Sequence, residues 1–238
     1  MIYSVYEIEI CKETAMTTKL FIQAIIKFLL GVILVGLLIF LPAGTVSYAN
    51  GWLLMGILFI PMFFAGIVMM FKNPELLKKR LNAKEKQQEQ NMVVKLSGLM
   101  FLVGFILAGL GFRFGWDPLP KGVTIGAAVV FLIAYLLYEE VLRENTYLSR
   151  TIEAQEDQKV IDTGLYGIVR HPMYSATVLL FLSMPLVLGS LYSFLIFLAY
   201  PFIIAKRIVH EEAFLEKELS GYREYKQKVK YRLIPYIW

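Results

Sequence analysis

The chain has 238 residues, of which 58% are hydrophobic and 18% charged, a balance too apolar for an ordinary soluble domain and typical of membrane proteins. Its net charge of +5 would suit a nucleic-acid partner, but the placement of that charge, described below, argues for a membrane surface instead. A lone cysteine, Cys11, excludes an internal disulfide.

Residues 1–20 mix Glu7, Glu9, Lys12, Glu13 and Lys19 and lack the basic, apolar and small-residue succession of a signal peptide. The first predicted span is Leu20 to Leu41. Gln23 and Lys27 lie near its start, where they can snorkel to the interface, and Pro42 and Gly44 end it. A second span runs from Trp52 to Phe71, with Tyr48 and Trp52 as interfacial aromatics and a kink expected at Pro61. A polar loop, Lys72 to Lys95, carries Lys78, Lys79, Arg80, Lys84 and Lys86. The third and fourth spans are Leu96 to Phe112 and Gly122 to Leu142. A short loop with Arg113, Trp116, Asp117 and Pro118 joins them.

After Leu142 the chain turns polar up to the stretch DTGLYGIVRHPMY, residues 162–174. Pro172 disfavours the α region at His171 and suits the first turn of a new helix, expected near Met173. The unpaired N–H groups of such a turn can hold an anion. Apolar character runs from Met173 to Leu188, breaks at Gly189–Ser190 and resumes from Leu191 to Ala205. Each half is shorter than the ~20 residues of a usual span, so a helical hairpin is expected. Lys206 to Trp238 reads as a charged helix followed by an aromatic tail.

Charge orients these segments. With the N-terminus inside, the cytoplasmic stretches 1–20, 72–95, 143–172 and 206–238 hold 21 Lys and Arg, while the opposite side holds only Arg113 and Lys121. This asymmetry places both termini in the cytoplasm and turns the basic residues toward an anionic leaflet. The expected fold is an all-α integral membrane protein: about six transmembrane or hairpin helices plus a C-terminal cytoplasmic amphipathic helix. It reads as one domain, 1–238, with residues 1–95 as N-terminal spans and basic loop and 122–238 as the functional core.

The chemistry is expected on the cytoplasmic face. Continued as a helix, the sixth segment puts Arg207 and Glu211 on one face, with Glu212 turned about 100° away. The hairpin brings Arg170, His171 and Tyr174 at the start of one arm beside Arg207, His210 and Glu211 at the end of the other. The result is a polar pocket with an apolar wall, drawn from Val178, Leu179 and Phe181 on one arm and Phe197, Leu198 and Phe202 on the other. Cations, carboxylates and rings together suit a zwitterion bearing a flat heterocycle. No Gly-rich phosphate loop opens a helix, the histidines lack metal-site spacing, and no serine sits in a nucleophile elbow.

RHPMY, the Glu211–Glu212 pair, Tyr222, Tyr225 and the ending YRLIPYIW together resemble the isoprenylcysteine carboxyl methyltransferase family, which is related to phospholipid N-methyltransferases. The resemblance covers about residues 122–238. Asn145 stands 21 residues before Tyr166, as in eukaryotic members, while Ala176 departs from the glycine of many relatives. The family implies S-adenosylmethionine as methyl donor and a lipophilic acceptor that arrives from the bilayer. Carried over residue by residue, it implies catalytic roles for Arg207, Glu211 and Asn145. Arg207 would orient an acceptor carboxylate or pair with Glu211. Donor contacts are implied for Arg170, His171, Pro172, Tyr174, Tyr166, Glu211, Glu212 and Pro235, with no metal and no nucleic acid. Membrane sterol reductases, which use NADPH, share an Arg-His before a Tyr and a Tyr-rich end. A non-catalytic protein binding anionic lipid is the third reading. Neither the acceptor's identity nor the oligomeric state is encoded in these motifs.

Overall fold

In lipid an apolar segment must satisfy its own backbone polar groups, and the helix does so locally. The computed structural model is accordingly helical. It describes residues 2–81, 88–116, 118–148 and 158–238, with backbone alone for 2–17 and 88–90. Among the described residues, five helical segments are long and apolar enough to cross a membrane: Thr18–Ala43 within α1 (Ile2–Ala43), α2 (Ala49–Lys72), Asn91–Phe114, Lys121–Glu144 and Leu191–Glu218. The predicted fifth segment is shorter, at 16 residues (Pro172–Val187). That length rises about 24 Å, less than the ~30 Å hydrocarbon core.

The stretch predicted as a polar loop contains a helix, α3 (Pro74–Leu81). The Asn73 side-chain oxygen accepts from the Leu76 N–H at 3.1 Å and caps its start, while Leu76 and Leu77 are buried. Lys27 does not merely snorkel: its ammonium donates to the Leu81 carbonyl at 2.5 Å and satisfies the end of α3. Lys84, Lys86 and Asp117 lie outside the described residues.

Next come α4 (Gln88–Phe114) and α5 (Lys121–Glu144), then a single 3-10 turn at Gly164–Gly167, then α6 (Pro172–Val187). The sixth segment is broken into α7 (Leu191–Phe197) and α8 (Tyr200–Glu218). The break follows from Pro201, which has no N–H to return to the Phe197 carbonyl. Gly221, at φ +82°, then turns the chain into α9 (Tyr222–Lys228).

α6 packs most extensively on α5, while α4 lies between α1 and α7. α1 and α4 approach closely at Gly109, where a Cβ would meet the Ile39 carbonyl oxygen at 2.5 Å. Phe101 packs edge-on against Phe181 and Phe197, joining α4, α6 and α7.

The hairpin turn is clamped from outside. Leu119 N–H donates to the Gly189 carbonyl (3.1 Å) and the Tyr48 hydroxyl to the Leu188 carbonyl (2.5 Å). Tyr48 is therefore not an interfacial anchor: it is buried and stacks on Phe112 at 4.1 Å, whereas Trp52 is exposed as expected. The predicted apolar wall also divides. Phe197 is fully buried in the core, Val178 and Phe181 pack against it, and only Leu179, Leu198 and Phe202 are exposed. With the Leu188–Ser190 turn fixed, the start of α6 and the end of α8 face the other end of the bundle, where the polar residues gather.

Candidate functional site

The motif at the start of α6 folds as its proline dictates. Pro172 is the first helical residue, and His171 before it stays outside the α region at φ −127°, ψ 61°. The N–H groups expected to be open to an anion are in part occupied. Arg170 and His171 donate to the Tyr231 and Arg232 carbonyls, each at 2.9 Å, and Pro172 has no N–H. The Ser175 hydroxyl adds a third tie, to the Leu233 carbonyl at 2.6 Å. The tail thus lies alongside the motif.

Beneath this seam Glu212 is 3% exposed and surrounded by cations. Arg170 Nε donates to its Oε1 (2.6 Å) and Arg232 Nε to its Oε2 (2.9 Å). His171 Nε2 is 3.3 Å from Oε1 and Lys226 Nζ 3.8 Å from Oε2. The Arg170 guanidinium also donates to the Val229 and Lys230 carbonyls at 2.7 and 2.8 Å. One carboxylate therefore binds α6, α8, α9 and the tail together, and a buried charge of this kind is tolerated only because it is so fully paired.

Glu211, one residue earlier, points elsewhere. Tyr174 donates its hydroxyl proton to Glu211 Oε2 at 2.5 Å while accepting from Arg207 Nε at 2.8 Å. The phenol bridges the cation and the carboxylate that helical spacing had put on one face. On the facing wall Asn145, the cap residue of α5, donates to the Tyr166 hydroxyl at 3.0 Å. The Tyr225 hydroxyl donates to the Tyr166 carbonyl at 2.8 Å. Burial pushes the phenols of Tyr166, Tyr222 and Tyr225 above their ordinary range, so all three remain protonated.

These groups line a cleft of about 820 Å³, counting its open mouth. Asn145, Tyr166, Arg170, His171, Tyr174, Arg207 and Glu211 border it, together with Tyr222 and Tyr225. Four predicted positions do not. Glu212 is turned into the cation cluster, Pro172 is buried in the first turn of α6, Pro235 is exposed on the tail, and the half-buried His210 lies off the cleft wall. Sequence reasoning missed Met173, Leu215 and Leu219 as lining residues. Leu215 and Leu219 continue the four-residue spacing of Arg207 and Glu211, so extending that stripe would have found them.

One lining group stands out. The Tyr222 hydroxyl is buried and has no hydrogen-bond partner among the described residues. A buried polar group left unmade costs ~1–3 kcal/mol, which a ligand in the cleft would recover.

A family model described as phospholipid methyltransferase matches residues 122–221. The match runs from the start of α5 through α8 and so includes Arg170, His171, Tyr174, Arg207, Glu211 and Glu212. It leaves out α1 to α4, α9 and the tail. A search of curated proteins finds no match.

Proposed function

We propose that this is a membrane methyltransferase that takes its methyl group from S-adenosylmethionine and gives it to a lipophilic acceptor. The observation that carries the reading is the Tyr222 hydroxyl, buried and without a hydrogen-bond partner among the described residues, in one cleft with Glu211 and Arg207. The family match over α5 to α8 supports the same chemistry.

The donor set fits the donor. Glu211, on the open wall of the cleft, pairs with the donor's ammonium. Tyr222 supplies a hydrogen bond, and Tyr166, His171 and Tyr174 supply rings and polar edges for the nucleoside. When bound, the donor presents an electrophilic methyl on its sulfonium. The residues of the chain position the acceptor's head in line with that methyl and keep water out. Arg207, held by the Tyr174 hydroxyl and 8% exposed, orients the reacting head, for which a carboxylate of an isoprenylcysteine-like or other amphipathic molecule is our reading. Asn145 fixes the Tyr166 phenol. Arg170, with its Nε and one terminal nitrogen engaged by Glu212 and the tail carbonyls, contributes mainly by shaping the cleft, and Glu212, Pro172 and Pro235 act through the scaffold.

Acceptors enter from the bilayer, and the cleft faces the cytoplasm, as the Lys and Arg asymmetry requires. A cysteine placed at the exposed Lys78 in a Cys11→Ser background tests the orientation. It is expected to resist membrane-impermeant reagent in intact cells, and labelling there would reverse the topology.

The deciding measurement is calorimetry on the detergent-purified protein with S-adenosylmethionine and with NADPH. Binding of the first, weakened at least about tenfold by Glu211→Gln, a loss of ~1.4 kcal/mol, is the expected result. Binding of NADPH alone would establish a reductase. Binding of neither would point to a lipid-binding protein.

A further inference from the structure

In the tail, Ile234, Pro235, Tyr236 and Ile237 follow one another and all four are exposed, Tyr236 by 87% and Ile237 by 76%. They do not form a loose end. The Arg232 and Leu233 N–H groups donate to the Trp238 main-chain oxygen at 2.9 and 2.8 Å, and the Trp238 N–H donates back to the Ile234 carbonyl at 3.1 Å. Leu233 is buried in the apolar core of the bundle, and Trp238 packs against that core under the Arg232 guanidinium. Tyr236 stands at φ +66°, in the left-handed region that a bulky side chain seldom enters. The fold therefore holds this turn in a strained backbone shape and presents its apolar side chains outward.

The position of the turn shows what meets those side chains. The Ser175 hydroxyl donates to the Leu233 carbonyl at 2.6 Å, so the tail reaches past the start of α6 at Pro172 by roughly one helical turn, about 5 Å. Leu179, one turn further along the same face of α6, is exposed to what is lipid in the membrane. The turn at 234–237 thus continues the lipid-facing surface of the bundle. Four exposed apolar residues in a row are costly in water. At a bilayer interface the isoleucines are buried, and a tyrosine places its ring in the apolar layer with its hydroxyl in the wet one. Charge agrees: residues 229–238 carry Lys230, which is exposed, and Arg232, with no Asp or Glu. Anionic headgroups attract this sign of charge.

We propose that the turn at 234–237 is a membrane-docking surface: its side chains enter the interfacial layer of the leaflet beside the cleft, with Lys230 at the headgroups. Because the Tyr231 and Arg232 carbonyls take the N–H groups of Arg170 and His171, lipid that holds this turn also holds the seam over Glu212. The surface stands apart from the methyltransferase reading and needs neither donor nor acceptor.

The test follows a label into the lipid. In a Cys11→Ser background, Tyr236→Cys or, as the control, Arg223→Cys at an exposed position of α9 is labelled with the fluorophore NBD. The full chain is then placed in phosphatidylcholine vesicles with and without phosphatidylserine. The label at 236 is expected to be quenched about twofold or more by lipid spin-labelled high on its acyl chain, the depth of an interfacial side chain. The label at 223 is expected to be quenched by aqueous iodide instead. Adding Ile234→Ser and Ile237→Ser should cut the lipid quenching at 236 by about half or more, since these residues supply the apolar anchor. Phosphatidylserine should strengthen that quenching, and Lys230→Gln should remove the increment. A label at 236 as open to iodide as the one at 223 would overturn the proposal. So would lipid quenching that survives loss of both isoleucines, because the label itself would then be the anchor. Shielding from iodide and lipid alike would assign the patch to a second copy or another protein and overturn it too. No increment with phosphatidylserine would overturn the role of Lys230.

Discussion

The two ends of the chain solve different solvent problems. In α1 only 6% of the apolar window is buried within the protein, against 33% in the segment that ends at Glu218. Phe21, Leu30, Leu34 and Leu37 on α1 are exposed to what is lipid in the membrane. No loss follows, because lipid is as apolar as a protein core and packing within the protein has little hydrophobic gain to offer. At the ends of α6 and α8 the apolar solvent gives way, and a single carboxylate holds four segments together. Order at one end of the molecule rests on shape, and at the other on charge.

Glu212→Gln should have the largest effect. It would leave Arg170 and Arg232 without their shared anion, and breaking a buried pair of this kind costs ~3–5 kcal/mol. Thermal unfolding in detergent should fall by many degrees, with the tail losing its protection from proteolysis first. If the midpoint stayed at the wild-type value, charge would not be what holds this end.

Within α1 the contrast can be drawn residue by residue. Ile39→Ala, at a fully buried site whose side chain packs near Gly51 of α2, is expected to cost ~2–4 kcal/mol. Leu34→Ala, on the lipid face, should leave the same unfolding midpoint nearly unmoved. Equal losses at both positions would mean that the exposed face of α1 packs against a partner.

Tyr222→Phe separates stability from binding. Removing an unsatisfied hydroxyl should leave the free protein as stable or more so, by ~1 kcal/mol. Donor affinity in the same protein should fall about tenfold. A fall in both would show the hydroxyl to be structural. The smallest effect is expected at Asp162, whose exposed pair with Lys228 holds its carboxyl below the usual range. Asp162→Asn should give no measurable change in melting temperature, as for most surface ion pairs.

Much of this architecture was legible in the chain because it follows from local rules. Apolar runs fixed the spans to within a few residues, Pro172 fixed the start of α6, and Gly189–Ser190 fixed the hairpin turn. The four-residue spacing of Arg207 and Glu211 was enough to place both on one cleft wall. Periodicity says which residues share a face, and lipid leaves a helix as the one way for such segments to satisfy their backbone.

What local rules cannot supply is the identity of the neighbour. Helical geometry turns Glu211 and Glu212 apart, but only the packing of distant segments decides that Glu212 is enclosed by Arg170 and Arg232. The same holds for Tyr48, drawn inward by a carbonyl 140 positions away, and for Arg80, carried to Tyr138 and Met173 by a helix that reads as a polar loop. A charge or a phenol in the sequence has many possible partners. Which of them it meets is set by contacts between segments far apart in the chain, whose strength depends on geometry and burial that no stretch of sequence carries by itself.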